Sequence, residues 1–83
     1  MRVIILTFGW VLVGQPSRRG DVVTITSAQV VRRWGTTAGI GQLAAEGPSP
    51  NTRLEPVGVW ETDALHVLGS IPCNPEAWPE AGP

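Results

Sequence analysis

The run V-V-R-R-W-G-T, residues 30–36, sets two guanidinium groups, Arg32 and Arg33, beside the indole of Trp34. A guanidinium is planar, always charged, and takes phosphate oxygens in pairs. An indole offers a flat face for a nucleobase, a contact worth about 1–3 kcal/mol in single-strand binders. Together the two suit a flat, anionic ligand. Phe8 and Trp10 add aromatic surface from the same basic half of the chain, and the hydroxyls of Ser27 and Thr36 flank the run. These seven residues are the candidate ligand-binding set. The plainer alternatives are a sheet edge with solvated charges and, for any one tryptophan, core packing.

The chemistry of catalysis is sparse. His66 is the only histidine and Cys73 the only cysteine, which excludes His/Cys metal clusters, two-histidine zinc motifs and an intramolecular disulfide. A Cys73–His66 pair has no surrounding motif, and a lone thiol after Pro72 reads as a small hydrophobe. Glu61 and Asp63 are two residues apart, as paired acid/base carboxylates can be, yet they fall at an expected hairpin tip where carboxylates are usually just solvated. The glycines of GIGQLAAEG stand in the wrong frame for a phosphate loop. The expectation is a protein that is not an enzyme, with no metal and no cofactor.

The formal net charge of −1 hides an asymmetry. Residues 1–53 hold all six arginines against Asp21 and Glu46, a balance of +4. Residues 54–83 hold Glu55, Glu61, Asp63, Glu76 and Glu80 with no basic residue, a balance of −5. A general nucleic-acid binder shows a basic excess instead, so nucleic acid is not the expected partner. A local anion pocket, charge-complementary protomers, or attraction between the halves of one monomer each fit.

Eighty-three residues make one domain at most. A chain this short buries only about 60% of its unfolded surface, so a homodimer or larger homo-oligomer is expected to extend its core. MRVIILTFGWVLVG begins as a signal peptide does, but Gly9 and Gly14 interrupt the apolar run, and QPSRRGD stands where a cleavage site should lie. The run is also too short to cross a bilayer, which takes about 20 residues. A cytoplasmic protein without membrane contact is the expectation.

The elements that must carry the candidate residues are mainly strands. Residues 3–6 and 11–13 are short apolar runs joined at Thr7-Phe8-Gly9. Pro16-Ser17-Arg18-Arg19-Gly20 reads as a turn, so Arg18 and Arg19 read as a solvated tip. In DVVTIT, Val23 and Ile25 alternate with Thr24 and Thr26, which completes a hairpin. QVVRRW is a further strand, and its periodicity sends Arg32 and Arg33 to opposite faces. Either one arginine then serves a ligand and the other a protomer contact, or a bulge re-aims them. Thr37 suits a helix N-cap, Ile40, Leu43 and Ala44 share a helical face, and Gly47-Pro48 stops the helix. PSPNTRLEP, residues 48–56, reads as a loop. Residues 57–62 and 65–71 read as a closing pair of strands around Thr62-Asp63-Ala64. Residues 74–83 form a Pro-rich tail pinned, if at all, by Trp78. The predicted fold is α+β and mostly β: a small antiparallel sheet or partly open barrel with one short helix.

The run S-R-R-G-D-V-V-T-I-T-S-A-Q-V-V-R-R-W, then I-G-Q-L-A-A-E-G, Glu55-Pro56-Val57 and Ile71-Pro72-Cys73, resembles the family of phage anti-Thoeris sponge proteins from about residue 3 to residue 76. The family's Ala-Arg-Arg stands here as Ala28-Gln29-Val30, with the arginine pair displaced to Arg32-Arg33. Of its Trp-x-Trp only the second member is kept, as Trp34. The resemblance implies a non-catalytic sponge, acting in the cytoplasm of an infected bacterium. Such a protein sequesters cyclic ADP-ribose isomers such as glycocyclic ADP-ribose, and in some members cyclic oligonucleotides, at sites between protomers. Competing expectations are a small oligomeric structural or interaction module of phage origin and a weak single-stranded nucleic-acid binder.

Overall fold

In a computed structural model, which describes residues 1–36 and 38–78, the chain forms one five-stranded antiparallel sheet in the order β4-β3-β2-β1-β5, open at both edges. The strands are β1 (Arg2–Leu6), β2 (Val11–Arg19), β3 (Val22–Arg33), β4 (Arg53–Asp63) and β5 (Val67–Pro72). One short helix, α1 (Ile40–Glu46), joins β3 to β4. The mostly-β class is as predicted, and the sheet does not close into a barrel.

Three strands bend at one level. Val13 faces Gln29, but two residues on, Gln15 faces Thr26, so β3 carries an extra residue, Ser27, at a φ of 50°. On the other side of β3 the register with β4 slips between Ile25 and Ala28 and again between Ala28 and Gln29, around Gly58 at a φ of 82°. Gly14 completes the line: a Cβ there would lie 2.5 Å from Ile25 Cγ2 and 2.9 Å from the Thr26 carbonyl oxygen. Extra residues bend a strand and increase its twist. Here the bends add up, and the sheet curls over one of its own faces.

The curl gives the chain two cores. On one face Val3, Val11, Val13 and Val31 pack against Leu43 and Ala44 of α1 and against Trp78. On the other, Ile4, Leu6, Leu12 and Val30 meet Val23, Ile25 and Ala28 from beyond the bend, with Trp60, Ala64 and Val67 around them. Trp78 fastens the C-terminal segment by donating from Nε1 to the carbonyls of Leu43 (3.2 Å) and Ala44 (3.1 Å). Asn74 donates its backbone N–H to Ala44 O (2.9 Å) and its side-chain amide to Ala45 O (3.2 Å). Carbonyls at a helix end have no partner within the helix. This segment supplies them.

Several expectations change. The stretch read as a turn, residues 16–20, is strand as far as Arg19, because an edge-compatible Pro16 does not end it; the chain reverses at Gly20-Asp21. Residues 21–26 and 29–34 are not separate strands but parts of β3, continuous through the Ser27 irregularity. The N-cap position of α1 is Gly39, and Thr37 lies outside the described residues. The supposed loop 48–56 gives way to β4 from Arg53. The last two strands do not pair with each other: β4 lies on β3 and β5 on β1, at opposite edges, linked by the 3-10 turn Ala64–His66. By its length the link reads as a hairpin turn; instead, the curl of the sheet brings the two edges within its reach. Of the Pro-rich tail, residues 79–83 lie outside the described residues.

Trp78→Ala removes a buried ring and two hydrogen bonds, and is expected to cost about 3–5 kcal/mol in urea unfolding. An unchanged midpoint would show that the segment is not part of the folded unit.

A candidate anion and aromatic site

The 3-10 turn Thr7–Gly9 carries Phe8 away from the protein. Phe8 is 93% exposed and holds a φ of 63°. A bulky residue in this left-handed region is strained, and an apolar ring left in water forgoes its burial. Trp10, just after the turn, leans on Trp60 of β4 with ring centroids 5.3 Å apart at 51°. Trp60 therefore braces Trp10 from beyond the bend. Phe8, Gly9, Trp10 and Val11 then face Val30, Val31 and Arg32 across a shallow groove of about 340 Å³. Ligand sites commonly measure about 300–1,000 Å³.

The β3–β4 register also slips at the arginine pair. Val31 faces Leu54, whereas Arg33, two residues on, faces Arg53, one residue back. Arg32 is the extra residue of β3 here, an irregularity of the kind that re-aims side chains. The bulge alternative holds at this point. Arg32 reaches Glu55 at 3.6 Å, with both side chains more than half exposed, a pairing worth about 0–1 kcal/mol. Arg53 donates from Nη1 to the carbonyls of Pro50 (3.3 Å) and Thr52 (3.4 Å). Among the described residues Arg33 makes no hydrogen bond or ion pair.

A polar clasp fixes the chain beyond β3. Ser49 Oγ donates to Gly35 O at 2.7 Å and Thr52 Oγ1 donates to Trp34 O. Gly35 sits at a φ of 70°, and a Cβ on it would collide with the backbone of Asn51 and Thr52. The turn bearing Arg53 and the segment bearing Arg33 and Trp34 are thus locked together.

Of the seven expected residues, Phe8, Trp10 and Arg32 line the groove, and Arg33 stands beside Arg32 on the strand. Trp34 is 44% exposed next to the arginines and does not line the groove. Thr36 spends its hydroxyl on Gly39 O at 2.8 Å, so its role here is to shape the approach to α1. Ser27 belongs to the sheet bend, six residues before Arg33, about 20 Å away along a strand. Sequence reasoning missed Arg53 and Trp60. The polar-apolar alternation of Arg53-Leu54-Glu55 was the available sign that a strand begins there; nothing in the sequence pairs Trp60 with Trp10.

A second groove, about 540 Å³, is lined by Ser17, Arg18, Arg19, Val22, Thr24 and Glu61. There Arg18 is engaged with Gly20 O at 2.7 Å and lies 4.0 Å from Asp21, and Glu61 adds a negative charge. That balance suits a multiply charged anion less well. Asp63 caps the Ala64–His66 turn by accepting from the Leu65 N–H at 2.9 Å, and exposed His66 shares a 3.2 Å hydrogen bond with Thr7. Among the described residues no three His, Cys, Asp or Glu side chains gather as metal ligands do, and no helix is long and apolar enough to cross a membrane.

Cys73 is partly buried against the helix-side core, and burial pushes its thiol up, against the lowering pull of the N-terminal ammonium and Arg2. No family model, curated protein or solved structure matches the chain.

Two outcomes follow from this geometry. Gly35→Ala forces a side chain into a positive φ and into backbone, so denaturation should show a loss of at least about 1–2 kcal/mol. Alkylation of Cys73 should be slow at neutral pH and accelerate only above the ordinary thiol range. Because the folded state favours the protonated thiol, its contribution to stability is complete below the unfolded pKa and lost as pH rises through the folded one. Rapid alkylation at neutral pH would contradict this.

Proposed function

We propose that this protein is a non-catalytic binder that captures and holds a small phosphorylated nucleotide signal, of the cyclic ADP-ribose isomer kind that the anti-Thoeris resemblance implies, and keeps it from a host effector. The observation that carries this reading is Phe8: strained, almost wholly exposed, and poised over a groove that ends at Arg32. Backbone strain at an exposed aromatic is a reason to look for a ligand. In this reading Phe8 and Trp10 take a base while Arg32 and Arg33 take phosphate. The weak Arg32–Glu55 pair yields its guanidinium to a stronger acceptor. The scarcity of acid/base and nucleophilic groups around the groove suits storage rather than turnover. In the infected host the sponge acts in the cytoplasm as a homodimer or larger homo-oligomer.

A second reading, an oligomeric interaction module, has its own observation. Both sheet edges are open, residues 55–59 of β4 are exposed throughout, and β5 carries no charge beside an exposed Leu68. Uncovered strand edges invite pairing.

Incubation with glycocyclic ADP-ribose, removal of the protein by filtration, and heating of the retained fraction separate these readings. The sponge depletes the free ligand and returns it intact. A changed product or an undepleted solution overturns the proposal, and concentration-dependent mass without depletion favours the module. Phe8→Gly is expected to abolish retention while raising stability by about 1 kcal/mol, because glycine relieves the left-handed strain.

A further inference from the structure

We infer that Arg33 and Arg53 form a clamp for a doubly charged phosphate group, a pyrophosphate or a diphosphate diester, with Arg32 as its third cation. This deepens the reading above by supplying a phosphate-binding half next to the groove, and Arg53 is a residue outside the seven the sequence singles out.

Arg33 and Arg53 are directly opposed across β3 and β4. Like charges facing each other across strands destabilise a sheet, and among the described residues no carboxylate pairs with either of these two: Glu55, two residues along β4 from Arg53, pairs with Arg32. Among the described residues, three guanidiniums against the one carboxylate that pairs with them leave a local charge of about +2, which a diphosphate diester of charge −2 neutralises. Hydrogen-bonding capacity agrees. Both bonds from Arg53 leave through Nη1. Among the described residues its Nε and Nη2, the side-on pair of the guanidinium fork, have no partner, and neither does any nitrogen of Arg33. Such a fork takes two oxygens of one phosphate.

The backbone bearing the clamp is already in place. The bonds from Ser49 and Thr52 to the carbonyls of Gly35 and Trp34 tie the two arginine-bearing segments, so the repulsion is not relieved by the strands drifting apart. A repulsive pair held by the fold, in a protein with a net charge of −1, is removed by an anion that bridges it. The register slip leaves Arg32 as the extra residue next to this pair, so a third guanidinium is carried on the same short stretch of β3.

The test uses the whole protein and inorganic pyrophosphate, read by thermal unfolding, with sodium chloride at matched ionic strength as the reference. The wild-type protein is expected to gain about 4 °C or more in Tm from millimolar pyrophosphate over the chloride reference. Arg33→Gln and Arg53→Gln are each expected to melt at or above the wild-type temperature in low salt, because the repulsion is gone, and to lose the pyrophosphate shift. Arg19→Gln, in the other groove, keeps it. The inference is overturned if chloride reproduces the stabilisation, if pyrophosphate gives none, or if both clamp variants retain it. The sponge reading fails separately: a protein that gains stability from pyrophosphate but never depletes glycocyclic ADP-ribose has the clamp without that ligand.

Discussion

The structure depends on a line of irregular residues, Gly14, Ser27 and the stretch around Gly58, that crosses three neighbouring strands at one level. A flat five-stranded sheet of this size covers only one face with its single short helix. The bend lets the far ends of β2, β3 and β4 turn back, so that Val23 and Ile25 reach Ile4 and Leu6. A chain that small would otherwise leave a whole apolar face in water. The tight contacts at Gly14 fit this account: the corner is packed so closely that only hydrogen can occupy the side-chain position.

The same curl builds the candidate site. Trp60 arrives beside Trp10 only because the end of β4 is folded over, and Trp10 braced in this way frames the groove that Arg32 closes. Around the arginines the order is reversed, with electrostatics working against the fold. Arg32, Arg33 and Arg53 stand at neighbouring positions of β3 and β4, only Arg32 among them has a carboxylate partner among the described residues, and the clasp from Ser49 and Thr52 ties the two segments together. Net charge says little about such a place. Screening confines exposed charges to about 8–10 Å at physiological salt, so a local cationic spot persists on a protein whose sum is negative.

Strain and exposure at Phe8 belong to the same pattern. The turn Thr7–Gly9 joins β1 to β2, and Gly9 already supplies one left-handed residue with no steric penalty. A second left-handed position filled by phenylalanine serves neither the turn nor the core. Phe8, strained and exposed, and Arg33, in register with Arg53, are both local departures from what the sheet alone favours. Proteins that depart from local rules do so mostly where they bind or react.

By itself the sequence determined the elements whose signals are local. Alternation in residues 22–26 marked the inward Val23 and Ile25, β-branched runs marked β1 and the start of β2, and Ile40, Leu43, Ala44 and Gly47 marked the helix and its stop. It also singled out Arg32, Arg33, Phe8 and Trp10 by residue type. Tertiary structure decided the rest, because register and curvature are properties of strand pairs. Whether Arg32 and Arg33 diverge or stand together depends on one extra residue measured against β4, and the partner that defines the offset, Arg53, sat in a stretch whose prolines read as loop. The placement of β4 and β5 at opposite edges, and the meeting of Trp10 with Trp60, likewise required the sheet to bend. No periodicity within a single strand encodes that.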